Sequence, residues 1–253
     1  MGAADTTGIY ALESQGIREL LLKTRPASFD ELVNVISLYR PGPLEGNLWR
    51  TYLENAEKKG KVFLPHPSLA AALSETRGVL LFDEQVRRIL AVTAGLTGER
   101  ALAVERALRS RSPGELSRAR LEFIHGAMDR DVNEEDAQRV FDYLLYAIPF
   151  THERALSVFQ AYLAYRIAFL KAHFPVQYLV SLLNANLDMR ERSERYARYM
   201  SGRGIVFFPP DMNRSADEYL VEGSAARAPL RNIPFLDVTE RRAILEERES
   251  GGT

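Results

Sequence analysis

Apolar residues recur at three- and four-residue steps through most of this chain, and that spacing is typical of amphipathic helices. Residues 86–93 and residues 101–108 are two such segments, separated by the sequence GLTG at residues 95–98. Helical patterns also precede and follow this pair along most of the chain. The hydrophobic pattern therefore predicts a mainly α-helical protein.

Several of the predicted helices have capping residues at their starts. Ser28 with Glu31 precedes the apolar run LVNVISLY, and Ser112 with Glu115 forms a second capping-box pattern, with a proline directly after Ser112. Asn133 is followed by three acidic residues, which complement the positive end of a helix dipole. These signals predict helix starts just after residues 28, 112 and 133.

The most apolar helical segment covers residues 153–173. Phe159, Tyr162, Arg166 and Phe169 follow three- and four-residue steps along it, and the segment is apolar on most of its circumference. The most apolar part, residues 155–174, contains Arg166 and Lys171, which argues against a membrane span. We expect this segment to form the central, buried helix of the fold.

Strand patterns are few. Residues 78–82 and residues 204–208 each begin with a glycine and continue as a short apolar run. The second run stops at two prolines. Near Ser201 the helical pattern gives way to a stretch rich in glycine, proline and asparagine. We therefore expect a domain over residues 1–200 and a small module over residues 201–253.

The composition is that of an ordinary globular protein. The 253 residues are 46% hydrophobic and 26% charged, with a formal net charge of −1. No cysteine is present, which excludes disulfides and thiolate chemistry and fits a reducing cytoplasm. The first ten residues lack the pattern of a secretory signal, so we expect a cytoplasmic protein without membrane association.

Positive charge is concentrated in the middle of the chain. Between Arg87 and Arg120 there are eight arginines and three glutamates, a local excess of five charges that favours phosphate binding. Arg106, Arg109 and Arg111 are the densest part of this patch, and Arg106 and Arg109 share one helical face. The alternative is a solvated helix whose cations only complement its carboxyl end.

Arg40 is a separate candidate for phosphate binding. It directly precedes the sequence Pro-Gly-Pro-Leu, and we expect the two prolines to hold a rigid turn after a helix. A guanidinium held in this way is preorganised to bind two phosphate oxygens at once. The alternative is a helix stop with a surface arginine.

No catalytic constellation is evident in the sequence. Asp129 and Asp131 form the only Asp-x-Asp pair, and we expect them in a polar loop between two helices. The four histidines show no metal-ligand spacing; they are His66, His125, His152 and His173. We therefore predict neither a catalytic residue nor a metal site in this chain.

A series of short motifs resembles bacterial family C polymerases, the alpha subunits of DNA polymerase III. In chain order they are GIYALES (8–14), LYRPGPL (38–44), HP (66–67), TRGV (76–79), EQV (84–86), FD (141–142), Tyr165, LKAHFP (170–175) and PPDMN with Ser215 (209–215). The strings RPGPL and LKAHFP are the most specific, and their order matches the family across most of the chain. The chain is identified on this basis as similar to the fingers region.

The resemblance implies a mostly helical fingers domain that closes over the incoming nucleotide. By position, the basic sites of the fingers correspond to Arg40, Arg106, Arg109, Arg111 and Arg154. The implied partners are a nucleoside triphosphate, primer–template DNA, the palm and other domains of the subunit, and replisome proteins. Magnesium is implied for the complete polymerase, where palm carboxylates bind it; none is expected on this chain alone.

The chain also departs from the family pattern at several motifs. Residues 108–112 lack the usual glycine, Arg154 replaces a lysine, and Leu156 replaces a histidine. Ala11 occupies a position that is usually glutamine. Residues 233–238 match a helix-hairpin-helix turn but contain no glycine, which would block close approach of the backbone to phosphate.

Three hypotheses of function follow from the sequence. In the first, the chain is the fingers portion of a working polymerase, with a degenerate helix-hairpin-helix tail, and is inactive without the palm. In the second, it is a diverged, inactive copy that acts as a DNA-binding or protein-interaction module. The third, an enzyme that uses Asp129 and Asp131, has the least support.

Overall fold

Helices dominate the structure, as the hydrophobic pattern predicted. The computed structural model describes residues 4–57, 64 and 66–251. Within these residues thirteen α-helices accompany one three-stranded sheet. The helices are α1 (Gln15–Thr24), α2 (Phe29–Leu38), α3 (Pro41–Glu45), α4 (Leu48–Glu57), α5 (Ala70–Leu73), α6 (Asp83–Ala94), α7 (Gly98–Ser110), α8 (Pro113–Met128), α9 (Glu134–Ala147), α10 (Arg154–His173), α11 (Pro175–Asn184), α12 (Arg190–Gly202) and α13 (Val238–Glu249).

The chain divides into two compact units. Among the described residues, the first unit contains residues 4–5 and 14–163, and the second contains residues 6–13 and 164–251. The predicted division into residues 1–200 and residues 201–253 concerns the family's domains, and it stays a prediction.

The core of the first unit lies among α6, α7, α8 and α9. Each of these helices turns an apolar face inward, and Phe123 of α8 meets Phe141 of α9 with ring centroids 5.6 Å apart. Both rings are fully buried, as is Ile89 of α6. Burying a side chain of this size contributes about 1.5–3 kcal/mol, so the four helices hold one another in place.

Two of the three predicted helix caps form. The hydroxyl of Ser28 accepts from the amide of Glu31 at 3.2 Å, and the Asn133 side chain accepts from the amide of Asp136 at 2.8 Å. Ser112 makes no side-chain cap, but the helix starts predicted just after residues 28, 112 and 133 are all confirmed. Helix α8 begins at Pro113, whose missing N–H leaves one donor fewer to satisfy.

Helix α10 has the predicted bounds but not the predicted burial. The exposed fractions of Phe159, Tyr162 and Phe169 are 56%, 49% and 49%, and Arg166 is exposed as well. The buried side is lined by small side chains, such as the fully buried Ser157. Because this helix is apolar in nearly every direction, its sequence does not reveal which side packs, and the expectation of a central buried helix is wrong.

The sheet belongs to the second unit. Strand β1 (Phe207–Phe208) pairs in parallel with β3 (Ala225–Arg227), and β2 (Leu220–Glu222) pairs antiparallel with β3 on its other side. The strand pattern at residues 204–208 is thus confirmed over its last two residues. Residues 78–82 form no strand; only Phe82 makes an isolated bridge, to His152.

Residues 6–13, which contain most of the GIYALES motif, belong to the second unit and are held there by hydrogen bonds. Gly8 has a φ of +78°, and a Cβ built on it would lie 2.5 Å from a methyl group of Leu182. Its carbonyl accepts from the Tyr178 hydroxyl at 2.6 Å, and the buried Lys171 donates to the carbonyl of Thr7 at 2.9 Å. Glycine is required here both by the backbone conformation and by the close packing.

The tail of the second unit ends in α13, which has no buried residue. Among the described residues, a single turn of 3-10 helix at Leu230–Asn232 precedes it, so the predicted helix-hairpin-helix is not confirmed. Phe235, in the turn between them, has a φ of +68° and a fully exposed ring. Residue 235 therefore keeps a conformation that favours glycine although it carries a bulky side chain.

Candidate functional site

The connection between α9 and α10 brings most of the candidate arginines together. It consists of a 3-10 turn at Ile148–Phe150 followed by Thr151, His152 and Glu153. Gly42 of α3 and Gly46, the residue directly after α3, pack against this turn; a Cβ at Gly46 would lie 3.3 Å from the Phe150 ring. Glycine in α3 thus lets the segment that follows Arg40 lie directly against the connection.

Arg109 of α7 also contacts the α9–α10 connection. Its guanidinium donates to the carbonyl of Ile148 at 3.4 Å and to the hydroxyl of Thr151 at 3.1 Å. It also pairs with Asp83 at 2.6 Å and with Glu105 at 3.3 Å. The two carboxylates are only 14% and 11% exposed, whereas the Arg109 side chain is 37% exposed, so Arg109 reaches the surface but its acceptors are shielded from water.

Arg40 lies beside the start of α10. It is the residue that precedes α3, which begins at Pro41, so the expected rigid turn is in fact the first turn of a short helix. Its guanidinium donates to the side-chain carbonyl of Gln160 at 3.4 Å. Burial lowers the pKa of Arg40, but a guanidinium stays charged in proteins. The Arg40 guanidinium therefore faces α10, where it makes one long hydrogen bond, to Gln160.

His152 is a member of the site that the sequence pattern did not single out. Its Nε2 lies 3.2 Å from the Ser157 hydroxyl, and its ring meets Phe82 edge-on with centroids 5.6 Å apart. Burial, and then the positive charge of Arg40, lower the pKa of His152 to about 4 against weaker opposing effects of Asp83 and Glu84. The imidazole is therefore neutral at neutral pH. Only its place two residues before Arg154 could have marked it.

Arg154 is the first residue of α10, and it is surrounded by carboxylates. Its amide donates to Glu84 at 3.2 Å, and its guanidinium pairs with Asp30 at 2.8 Å and with Glu75 at 3.0 Å. The guanidinium also lies over the Phe82 ring, 5.5 Å from the centroid. Asp30 and Glu75 are 68% and 59% exposed, so these are surface ion pairs that contribute about 0–1 kcal/mol each.

Arg106 and Arg111 lie on α7 and at its end. Arg111 follows the helix with a φ of +54°, and its guanidinium donates to the carbonyl of Leu145 at 3.0 Å. Arg106 is exposed and makes no ion pair or hydrogen bond with any described residue. It lines an open cleft of about 590 Å³ between α7 and α8, together with Arg118 and Glu115.

The structure therefore brings three of the five predicted arginines to one place. Arg40, Arg109 and Arg154 all contact the α9–α10 connection or the first turns of α10, and His152 lies among them. Arg106 faces the α7–α8 cleft instead. The arrangement places three cations and a neutral imidazole around a helix start, together with the carboxylates that pair with Arg109 and Arg154.

The remaining predicted features belong to loops and caps. Asp129 follows α8 and Asp131 lies in the next turn with a φ of +61°, which confirms the predicted loop. Within the ranges that the structure describes, no three His, Asp or Glu side chains form a group suited to a metal ion. The described residues thus do not fit the magnesium ions implied for a complete polymerase.

None of the helices in the described part of the chain combines the length and the apolar character needed to cross a bilayer.

Comparison with known proteins relates the chain to a family. Residues 1–131 match the family model of the bacterial DNA polymerase III alpha subunit finger domain. Curated relatives named DNA polymerase III subunit alpha include those of Bacillus subtilis, 29% identical over 98% of this chain, and Aquifex aeolicus, 30% identical over 96%. That of Thermus aquaticus is 31% identical over the whole chain. The chain spans 22%, 21% and 21% of these three relatives, about a fifth of their length.

Proposed function

Because the chain belongs to the finger-domain family of bacterial DNA polymerase III alpha subunits, as its motifs predicted, we propose that it binds a nucleoside triphosphate and primer–template DNA. The observation that supports this function best is that Arg154 is the first residue of α10 and that Arg40 donates to Gln160 of the same helix. Both cations lie on the first unit and are partly exposed to solvent.

Arg154 is suited to direct phosphate contact because its present partners are easily replaced. Its ion pairs with Asp30 and Glu75 are exposed, so their loss costs little. A triphosphate carries more charge than a carboxylate and accepts two parallel hydrogen bonds from one guanidinium. The carboxylates keep the arginine extended in the free protein, and the phosphate then takes their place.

We propose that Arg106 contacts DNA phosphate. Arg109 and Arg111 are proposed instead to hold other parts of the chain in place. Arg106 has no partner to give up among the described residues. Arg109 would have to leave two shielded carboxylates, and Arg111 donates to the backbone of α9. We therefore assign direct binding to Arg40, Arg106 and Arg154, and support of the α9–α10 connection to the other two.

Catalysis in this proposal requires residues outside the chain. The resemblance implies that palm carboxylates hold the two magnesium ions of the complete polymerase, which act on the attacking and leaving oxygens. The chain's own contribution is to bind the triphosphate and to orient it. On its own it is proposed to be inactive.

Equilibrium titrations test this function. Binding of a labelled primer–template should be micromolar or weaker at physiological salt and should fall steeply as salt rises from about 50 to about 200 mM. Arg40→Gln, Arg106→Gln and Arg154→Gln should each weaken binding about tenfold and lower the salt slope by about one. Arg192→Gln, an exposed change on α12, is the matched control and should bind as the parent does. Equal affinities for all five proteins would refute the assignment.

The second candidate function is that of an inactive module that binds DNA or protein. The observation in its favour is that Arg109, Arg111 and Arg154 already have acceptors within the chain. A titration with a deoxynucleoside triphosphate separates the two functions. Binding that depends on Arg40 and Arg154 supports the fingers function, whereas DNA binding without any triphosphate binding supports the module.

A further inference from the structure

A slot between the start of α2 and the first turns of α10 (the α2–α10 slot) lies on the surface of the first unit. Its open volume is about 720 Å³. Phe29 begins α2, whereas Phe159 and Tyr162 belong to α10. The rest of the lining is made up of Glu84, Arg154, Ala155 and Val158.

The three aromatic rings of the α2–α10 slot are exposed to solvent. Phe29 is 40% exposed, Phe159 56% and Tyr162 49%. Phe159 and Tyr162 are three residues apart on one helix, so they share a face. Large rings grouped on a surface mark a binding surface, since rings left in water forfeit the stabilisation of burial.

Three carboxylates surround the single cation of the slot. Asp30 and Glu75 pair with the Arg154 guanidinium at 2.8 and 3.0 Å, and Glu84 accepts from the Arg154 amide at 3.2 Å. Three carboxylates against one guanidinium leave a formal excess of two negative charges. Asp30 and Glu75 are 68% and 59% exposed, so both can turn toward a ligand in solvent.

Two neighbouring cations do not remove this excess. Arg77 is already paired with Glu31 at 2.5 Å. Arg40 is not part of the lining, and its guanidinium donates to Gln160. The surface of the slot therefore combines apolar rings with negative charge.

This combination suits a cation that is carried on an apolar stem. The face of an aromatic ring attracts a guanidinium or an ammonium, and the methylene stem packs against the ring. The charged head then reaches the carboxylates at the edge of the slot. An arginine side chain fits best, because its planar guanidinium stacks on rings and binds a carboxylate through two hydrogen bonds.

We propose that the α2–α10 slot is a docking surface for a segment of a partner protein that presents an arginine. The partner's guanidinium stacks on Phe159 and Tyr162 and pairs with the carboxylates, and apolar residues beside it in the segment cover Phe29. The inference goes beyond the proposed function, and the two ligands use different groups. Phosphate is taken by Arg154, whereas the partner's cation is taken by the carboxylates around it.

Peptide titrations followed by fluorescence anisotropy test the proposal. The probe is a short labelled peptide with an arginine between two leucines and with both ends capped. A second peptide carries citrulline in place of the arginine, which keeps the shape of the side chain but removes its charge. The parent should bind the arginine peptide about twofold to thirtyfold more tightly than the citrulline peptide. Added salt should narrow this difference, because exposed ion pairs are screened.

A charge variant shows whether the slot is what distinguishes the peptides. Asp30→Asn/Glu84→Gln removes two charges at nearly constant side-chain size and leaves one carboxylate to offset the guanidinium. It should bind the two peptides nearly equally. Glu191→Gln/Glu218→Gln removes the same total charge from exposed positions of the second unit and should keep the preference of the parent.

A ring variant tests the aromatic part of the surface. Phe159→Ala/Tyr162→Ala should weaken the binding of both peptides, because the stems of arginine and citrulline pack on the same rings. Circular dichroism checks that each variant is folded.

The outcomes separate this inference from the proposed function. Equal binding of the two peptides by the parent overturns the inference, and so does a preference for arginine that persists unchanged in Asp30→Asn/Glu84→Gln. A parent that prefers the arginine peptide but binds neither DNA nor a deoxynucleoside triphosphate supports the docking surface and refutes the proposed function alone.

Discussion

At the scale of single residues, His152 belongs to the candidate site although no pattern in the surrounding sequence singled it out. The ring is half-buried between Phe82 and Ser157, and it faces the Arg40 cation. Both burial and the nearby positive charge disfavour the imidazolium. The neutral ring can therefore share a hydrogen bond with Ser157 without repelling the arginines around it.

The lowered pKa of His152 predicts that the protein loses stability in mild acid. Between pH 6.5 and about 4 the unfolded chain binds a proton that the folded ring rejects, so the free energy of unfolding falls as pH falls. The shift corresponds to about 3 kcal/mol in full, and partial solvation reduces the expected loss at pH 5 to about 1–2 kcal/mol. Urea unfolding at pH 7 and at pH 5 measures it.

His152→Gln keeps a polar side chain and cannot titrate, so its unfolding free energy should fall less between the two pH values than that of the parent. His125→Gln, on the exposed face of α8, should behave as the parent does. An identical loss in the parent and in His152→Gln would contradict the assigned burial of the imidazole.

At the scale of elements, the sequence predicted where helices occur better than it predicted which of their sides are buried. Caps at Ser28 and Asn133 form because each side chain reaches the amide of the third residue of its helix. The cap at Ser112 fails although the pattern is the same. Helix α10 was correctly bounded, but its solvent face was not predictable because apolar side chains cover nearly all its circumference. Periodicity reports burial only where polar residues mark the other side.

Helix α13 is an element held by charge rather than by packing. It buries no residue, and its arginines reach back to the rest of the second unit. Arg241 donates to Asp217 at 2.6 Å, and Arg231 reaches the same carboxylate at 3.1 Å. Burial alone would raise the pKa of Asp217, but the two arginines outweigh it and lower the pKa overall. The carboxylate thus stays ionised and links α13 to the turn before it.

Replacing Asp217 by Asn should therefore release α13 without unfolding the second unit. The amide keeps the size of the carboxylate but removes the charge that the two arginines share. We expect trypsin to cut after Arg241, Arg242 and Arg248 several times faster in this variant, because a frayed helix exposes its backbone. Glu218→Gln, next to Asp217 and exposed, is the control. Equal rates of cleavage would show that other contacts hold the helix.

At the scale of the whole molecule, the motifs predicted the family, whereas only the tertiary contacts show which partners each arginine has. Ordered strings such as LYRPGPL and LKAHFP were sufficient for the family because they reflect packing, as the buried Lys171 in the second string shows. The ion-pair partners of Arg109 and Arg154 were not predictable from spacing. One pairs with shielded carboxylates and the other with exposed ones, and only the tertiary structure brings those partners from distant parts of the chain.

The isolated chain should fail to extend a primer while still binding DNA. Template-directed synthesis needs carboxylates that hold two metal ions about 4 Å apart, and the described residues form no group suited to a metal ion. We expect no extension with magnesium or manganese at protein concentrations that saturate the primer–template in the binding titration. A bacterial DNA polymerase III alpha subunit assayed in parallel should extend the same primer. Extension by the isolated chain that disappears in an Asp129→Asn/Asp131→Asn variant would instead support the third hypothesis, since those carboxylates would then be acting as metal ligands.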